Sequence, residues 1–206
     1  MFIVSSVMRI IFAIKSSIKH KKAISKTIGT KNNDTQNIFS ADSIFDIDLK
    51  SLKKNNIKVL VLDFDGVLAS HGQIKPNKAT QNWMHEALKI YPNTTYILSN
   101  NPKSKRFIWL NKHFPEIKLV AGVRKKPYPD GLNAIHKDVN LHTKIKSCEI
   151  ILIDDRLLTG VLASLNAKTK VIYIKKPVHN FKSSFFIQEC FFASLRFIER
   201  LFLKNY

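Results

Sequence analysis

Short apolar runs alternate with amphipathic segments along most of the chain. Residues 57–64 (IKVLVLDF) are almost wholly apolar and rich in β-branched side chains, as in a parallel strand that is covered on both faces. Other runs predict strands at 96–99, 117–120, 148–153 and 171–174, and helical patterns occur at 76–90, 102–114, 129–139 and 157–165. This alternation predicts an α/β fold: a Rossmann-like parallel sheet with helices on both faces.

The two ends of the chain differ from this alternating region. We predict a basic amphipathic leader and linker over residues 1–38, an α/β domain over 39–178 and a Phe-rich basic helix over 179–206; residues 31–40 are polar, as in a linker. Apolar residues of the leader recur at helical spacing beside lysines, which is typical of helices on a membrane surface. Their run is shorter than the roughly 20 residues that a spanning helix needs. Packing on its own domain, a poorly ordered leader and a mitochondrial presequence stay open as alternatives.

The chain is strongly basic, with 34 Lys and Arg against 15 Asp and Glu and a net charge of +19. This charge favours an anionic partner: nucleic acid, an acidic membrane surface or a phosphorylated substrate. Only six of the basic residues are Arg, and because Lys is poorly suited to planar base recognition, nucleic-acid binding is disfavoured. Cys148 and Cys190 form no disulfide framework, and Cys148 is predicted in a buried strand, which favours a reducing compartment.

Polar residues follow four of the predicted strands, where each strand ends. They are Asp63 and Asp65, Ser99 with Asn100 and Asn101, Arg124 to Lys126, and Asp154 with Asp155. Taken singly, each group has a structural explanation, as a solvated turn, a helix N-cap or a solvated loop. Their spacing is about one strand–helix unit, and ligands bind at the carboxyl ends of parallel strands. The sequence therefore predicts one site that gathers acids, a hydroxyl and a base.

These residues resemble the four motifs of the haloacid dehalogenase (HAD) superfamily of aspartate-nucleophile phosphatases. A closer resemblance is to its subfamily IIIA members that are similar to phosphatidylglycerophosphate phosphatase. It covers roughly residues 39–203, and the supporting stretches are 43–48, 52–53, 98–101, 126–127, 155–159 and 196–203. The resemblance implies a HAD-like phosphatase domain over residues 39–178.

The resemblance implies a role for each motif residue. Asp63 would attack phosphorus and form an aspartyl-phosphate. Asp65 would protonate the leaving alcohol as general acid and then activate water as general base. Ser99 would donate a hydrogen bond to the phosphoryl oxygens, and Lys126 would neutralise their charge.

The resemblance also implies Mg²⁺, a cation that prefers oxygen ligands. Its expected ligands are Asp63, the main-chain carbonyl of Asp65, and Asp155. Asp154 would lie beside them, or would be the ligand itself if the register is shifted by one residue. Substrate contacts are expected from Gly66, Asn100, Asn101 and Arg156.

The chain departs from this family's pattern at three places. Gly66 and Val67 stand where the family often has Asn-Thr, Asp154 stands in place of Gly, and Gly160 in place of Asp. The short intervals between motifs leave no room for a large cap domain. An uncapped site would admit bulky substrates, including a lipid head group at a membrane.

We therefore predict a Mg²⁺-dependent phosphomonoester hydrolase that acts on a membrane-borne lipid phosphate such as phosphatidylglycerophosphate. Its expected partners are an anionic phospholipid and a membrane surface, and its expected location is cytoplasmic, peripheral on the inner face of a membrane. The alternatives are a phosphatase of a soluble ester or phosphoprotein, a non-catalytic protein that binds anions or nucleic acid, and a membrane-bound scaffold with a vestigial site. The sequence makes no prediction of oligomeric state.

Overall fold

The computed structural model describes residues 2–29, 37–101, 104–182 and 184–204. Six parallel strands form one sheet in the order β1-β6-β5-β2-β3-β4. The strands are β1 (Ile38–Ala41), β2 (Val59–Leu62), β3 (Thr95–Ile97), β4 (Lys118–Leu119), β5 (Ile150–Asp154) and β6 (Lys170–Ile174). The helices are α1 (Phe2–Gly29), α2 (Leu49–Lys54), α3 (Lys78–Ile90), α4 (Ser104–His113), α5 (Asp130–Asn140), α6 (Leu162–Ala167) and α7 (Phe186–Lys204). The predicted α/β fold class is confirmed.

Successive side chains of a strand point to opposite faces of the sheet. Because helices cover both faces, the apolar strands are buried on both sides. Leu60 and Leu62 of β2 pack in a core on one face with α3, whereas Val59 and Val61 pack on the other face with α1, α5 and α6. This two-sided burial fixes the strand ends, which position the site.

Three sequence predictions are wrong in detail. Residues 38–40 of the predicted linker belong to the edge strand β1, which pairs with β6; residues 31–36 lie outside the described part of the chain, as does Pro102. Cys148 is exposed in a 3-10 turn (Ser147–Glu149) rather than buried in a strand. The predicted helix at 157–165 begins as a π-helical turn (Leu157–Val161) before α6.

The terminal helices contact each other and both leave apolar residues exposed. The buried face of α1 packs on the sheet through Ile24, and its Ser16 hydroxyl donates to Asn166 of α6 at 2.8 Å. Ile3, the first residue of the leader's predicted apolar pattern, lies outside the described side chains. The exposed stripe of α1 is Val7, Ile10, Ile11, Ile14 and Ile18, and that of α7 is Ile187, Phe191 and Ile198. Among the described helices, none is long and apolar enough to span a membrane.

Candidate active site

The site lies where the chain order of the strands reverses. From the central strand β2 the sheet continues through β3 and β4 on one side and through β5 and β6 on the other, and such switch points open a crevice at the carboxyl ends of strands. A pocket of about 380 Å³ lies there. It is lined by Asp63, Asp65, His71, Gly72, Ser99, Asn100, Asn101, Asp155, Arg156, Thr159, Gln188, Phe191 and Phe192.

Three buried carboxylates meet at the ends of β2 and β5. Asp63, Asp154 and Asp155 each place an oxygen within 4.8 Å of the others. Burial raises the pKa of Asp63 to about 8; Lys126 opposes this rise, and the neighbouring acids add to it. Burial likewise raises the pKa of Asp155 to about 6, against the opposing charge of Arg196. The site therefore gathers three carboxyl groups away from water, and burial disfavours the charged forms of Asp63 and Asp155.

Lys126 joins the two acidic motifs. Its Nζ lies 2.5 Å from Oδ2 of Asp154 and 3.1 Å from Oδ1 of Asp63, and its side chain is 2% exposed. Burial lowers the pKa of Lys126, but Asp154 and Asp63 together outweigh burial and raise it. Asn100 holds the loop, because its Oδ1 accepts from the main-chain N–H of Lys126 at 2.7 Å and its Nδ2 donates to the Lys126 carbonyl at 3.1 Å. Both polar atoms of the Asn100 side chain, which was expected to contact substrate, are thus bound to Lys126.

Asp65 is held by a buried arginine of α4. Arg106 donates from Nη2 to Oδ1 of Asp65 at 2.9 Å and from Nη1 to Oδ2 at 3.0 Å. It also donates to the carbonyl of Gln73 at 2.9 Å, and its guanidinium lies 3.9 Å from the ring centroid of Phe64. The carboxylate expected to act as general acid is therefore fixed by a bidentate pair.

Two of the departures from the family pattern have a steric explanation. Gly66 has φ +85°, and a Cβ there would lie 2.3 Å from Oδ2 of Asp155, so that a side chain is excluded both by backbone conformation and by space. At Gly160 a Cβ would lie 1.9 Å from Cγ of Asp154. An acid at position 160 would therefore occupy the place that the Asp154 carboxylate fills.

Of the other predicted residues, Ser99, Asn101 and Arg156 line the pocket, whereas Gly66, Lys126 and Asp154 are not among its lining residues. The Ser99 hydroxyl accepts from the Asn101 N–H at 3.1 Å. Arg156 lines the pocket, but its guanidinium pairs with Glu199 of α7. Its Nε donates to Oε1 of Glu199 at 2.8 Å.

Helix α7 closes one side of the pocket, a contribution that was not predicted from the sequence. Glu189 is fully buried and accepts from the main-chain N–H of His71 at 2.6 Å, and the His71 ring stacks on Phe192 at 3.9 Å. Arg196, expected among the basic residues around this helix, instead pairs with Asp155. Burial lowers the pKa of His71 to about 3, with Arg196 adding to the effect.

Signals for the missed residues exist in the sequence. Arg106 precedes Leu110 by four positions, on the apolar face of α4, and a charge on such a face calls for a buried partner. Glu189, Arg196 and Glu199 likewise share a helical face at spacings of seven and three. Periodicity thus indicates burial, but it does not name partners about 40 residues or more away in the chain.

The donor set fits a magnesium ion. Three carboxylates provide hard oxygen ligands, and Oδ1 of Asp155 is buried without a hydrogen-bond partner in the described residues. Asp154 fits less well as a ligand, because Lys126 binds its Oδ2 and the N–H of Arg156 donates to its Oδ1 at 2.9 Å.

The solved structures that are similar to the chain include three from different organisms. A protein from Corynebacterium glutamicum is 20% identical with a TM-score of 0.43, over 69% of this chain and 96% of that one. The core domain of a candidate phosphoglycolate phosphatase from Streptococcus pneumoniae is 18% identical with a TM-score of 0.37, over 66% of this chain and 96% of that one. A HAD-superfamily hydrolase from Ehrlichia chaffeensis is 16% identical with a TM-score of 0.37, over 67% of this chain and 97% of that one. No curated protein matches.

The sequence match to a family is more extensive. Residues 18–179 match the family described as mitochondrial PGP phosphatase. This range contains all four predicted motifs and excludes α7. The chain is a phosphatase that belongs to the mitochondrial PGP phosphatase family.

Proposed function

We propose that the chain is a Mg²⁺-dependent phosphomonoester hydrolase that forms an aspartyl-phosphate on Asp63 and acts on a lipid phosphate such as phosphatidylglycerophosphate. The observation that supports it best is the buried group of Asp63, Asp154 and Asp155 around Lys126. Asp63 and Asp155 of this group line one pocket together with Asp65. Asp63, Asp155 and the Asp65 carbonyl would hold Mg²⁺, which supplies charge neutralisation for the phosphoryl oxygens.

In the first step an oxygen of Asp63 forms a bond to phosphorus as the ester P–O bond breaks. Lys126, 3.1 Å from Asp63, orients this carboxylate and favours its ionised, nucleophilic form against the opposing effect of burial, while the Ser99 hydroxyl binds a phosphoryl oxygen. Protonated Asp65 gives its proton to the leaving alcohol. Arg106 donates one N–H to each oxygen of Asp65, and since a carboxylate oxygen has two acceptor positions, one position stays open for the transferred proton.

In the second step Asp65 takes a proton from water, and the resulting hydroxide attacks phosphorus. Inorganic phosphate leaves and the Asp63 carboxylate is restored. Asn100 acts in both steps through Lys126, whose main chain it binds. We assign it a positioning role.

The walls of the pocket favour a substrate with a charged and an apolar part. One wall consists of the strand-end residues, and the other includes Phe191 and Phe192 of α7. Phe191 also belongs to the exposed stripe of α7 and is 58% exposed, so that the pocket mouth adjoins an apolar surface. A head group could enter while its acyl chains stay in the bilayer.

We propose that an anionic membrane surface binds the exposed stripes of α1 and α7. Lys15, Lys19 and Lys22 are exposed beside the α1 stripe, and basic residues near anionic lipid contribute about 1 kcal/mol each. The family is described as mitochondrial. For this chain we propose peripheral attachment to the inner face of a membrane.

The test is Mg²⁺-dependent phosphate release from phosphatidylglycerophosphate in mixed micelles and from a soluble aryl phosphate. Asp63→Asn should lower turnover of both by at least about 10⁴-fold, since the nucleophile is lost. Asp138→Asn, the same change on α5 outside the pocket lining, is the matched control. Release from the aryl ester alone would support a soluble ester or phosphoprotein as substrate. Release from neither, together with salt-sensitive binding to duplex DNA, would support a non-catalytic anion-binding role.

A further inference from the structure

Helix α7 reaches the acidic cluster through one buried arginine. Arg196 is 4% exposed, and its Nε lies 2.5 Å from Oδ2 of Asp155. Its Nη2 lies 2.7 Å from Nε2 of His71, in the loop that follows Asp63 and Asp65. Arg196 belongs to none of the four motifs, and α7 lies beyond residues 18–179, which match the family model.

The two oxygens of Asp155 have different surroundings. Arg196 binds Oδ2, whereas Oδ1 is buried and makes no hydrogen bond to the described residues. Asp155 also offers an oxygen within 4.8 Å of oxygens of Asp63 and Asp154. A carboxylate that is bound at one oxygen cannot rotate freely, so the other oxygen keeps a fixed direction.

We propose that Arg196 is a positioning residue of the metal site: by holding Oδ2 of Asp155, it presents Oδ1 to a divalent cation. This inference rests on the proposed function, because it takes Asp155 as a cation ligand. This positioning role of Arg196 is separate from the attachment of α7 to the domain. Separate contacts attach α7, including those of Glu189 with His71, of Glu199 with Leu157 and of Arg200 with Tyr173.

The experiment compares Arg196→Met with Arg200→Met. Both changes remove a guanidinium from α7, but Arg200 donates to the Tyr173 hydroxyl at 2.8 Å and contacts none of the acids. Titration calorimetry with Mg²⁺ measures affinity without turnover. Loss of a group that orients a metal ligand typically weakens binding about 10- to 100-fold, so we expect that loss for Arg196→Met and wild-type affinity for Arg200→Met.

Repulsion between the Arg196 cation and a bound Mg²⁺ would have the opposite effect on Mg²⁺ affinity. Arg196 is a cation beside the site, and if its charge mattered more than its hydrogen bond, Arg196→Met would bind Mg²⁺ as tightly as wild type or more tightly. That result, or an equal loss in Arg200→Met, overturns the proposal. If Arg196→Met does not fold, Arg196→Lys decides: it keeps the charge but cannot bridge Asp155 and His71, and its affinity should still be lower.

The same titration separates this inference from the proposed function. Hydrolysis by a wild-type protein that binds no Mg²⁺ overturns the positioning role and leaves phosphatase chemistry in place. Mg²⁺ binding without hydrolysis overturns the proposed function, while the comparison of Arg196→Met with wild type still decides the positioning role.

Discussion

The two walls of the pocket are built in different ways. The strand-end wall is lined by Asp63, Ser99 and Asp155. Lys126, which does not line the pocket, pairs with Asp63 and with Asp154 at the edge of the sheet. The helical wall is α7, which turns buried charges inward and an apolar stripe outward. Chemistry at the first wall depends on fixed positions at the ends of buried strands. At the second wall, one helix carries both buried charges that contact the site and an exposed apolar stripe.

This contrast predicts which changes affect all substrates and which affect one class. Charges at the strand ends lie 2.5 to 3.1 Å apart and are nearly inaccessible to water, so that a change there should disturb every reaction. The apolar stripe of α7 is exposed. A change there should affect only a substrate that brings a surface with it.

Among changes that leave the Asp63 nucleophile in place, the largest effect is expected from moving a carboxylate at the strand ends. Asp154→Gly removes a partner of buried Lys126, which should cost about 3–5 kcal/mol of stability and lower turnover about 100-fold through misplacement. Gly160→Asp alone should clash with the Asp154 carboxylate, since a Cβ at 160 lies 1.9 Å from its Cγ. The double variant Asp154→Gly with Gly160→Asp should regain most of the lost stability and most of the lost turnover. Urea unfolding measures the stability, and aryl phosphate hydrolysis measures the turnover.

The control is the double variant Asp154→Gly with Gly160→Ala, which fills part of the space but supplies no charge. Because Lys126 then keeps only Asp63 as a partner, this variant should not recover. Equal recovery with Ala and Asp at position 160 would show that packing alone matters. If the double variant with Asp at position 160 does not recover, a carboxylate at position 160 cannot replace the Asp154 carboxylate.

Much of the fold could be predicted because the signals are local. The apolar run before Asp63 is buried on both faces of the sheet, so its composition alone indicates a central strand and places Asp63 at the strand end. The edge strand β1 was missed because it is short and only its first residue, Ile38, is fully buried. Its position depends on β6, about 130 residues later, which no window around Ile38 contains.

The site residues also divide into those predicted from local sequence signals and those that depend on distant partners. Asp63, Ser99, Lys126 and Asp154 each end or follow a strand, so their meeting follows from the topology of a parallel sheet. Arg106 and Arg196 are held by pairing across the fold. Charge in a helix predicts solvent exposure on average, and only tertiary packing reveals the exceptions.

A smaller effect is expected at His71, where the two walls join. Its pKa is lowered to about 3 in the folded protein, from an ordinary 6.5, by burial and by Arg196, with Arg156 and His179 adding. The unfolded chain therefore binds a proton that the folded chain excludes between these values, and stability should fall as pH drops through this range. Relative to His71→Gln, the wild type should lose about 1–2 kcal/mol more between pH 7 and pH 5.

Urea unfolding of both proteins at the two pH values measures this difference, and other groups cancel because they are shared. The main-chain bond from His71 to Glu189 persists in the variant, so the comparison isolates the ring. If the wild type and His71→Gln lose the same stability between pH 7 and pH 5, the His71 ring is protonated at pH 5 in the folded state. The contact of His71 with α7 would then open easily.

The smallest effect is expected on the exposed stripe of α7. Ile187 and Ile198 are 82% and 58% exposed, and full burial of such a side chain contributes about 1.5–3 kcal/mol. With partial insertion, changing both to Ser should weaken binding to anionic vesicles about tenfold and lower turnover of vesicle-borne lipid phosphate. Hydrolysis of a soluble aryl phosphate should change little.

The matched control replaces Ile108 and Leu141, which are 68% and 72% exposed but lie on α4 and just after α5, with Ser. It removes comparable apolar surface away from the terminal helices, so general hydrophobicity predicts equal losses for the two double variants. A membrane surface that binds α7 predicts a loss for the stripe variant alone. Equal vesicle binding by all three proteins would assign attachment to the basic charge, because a net charge of +19 attracts anionic lipid without any insertion.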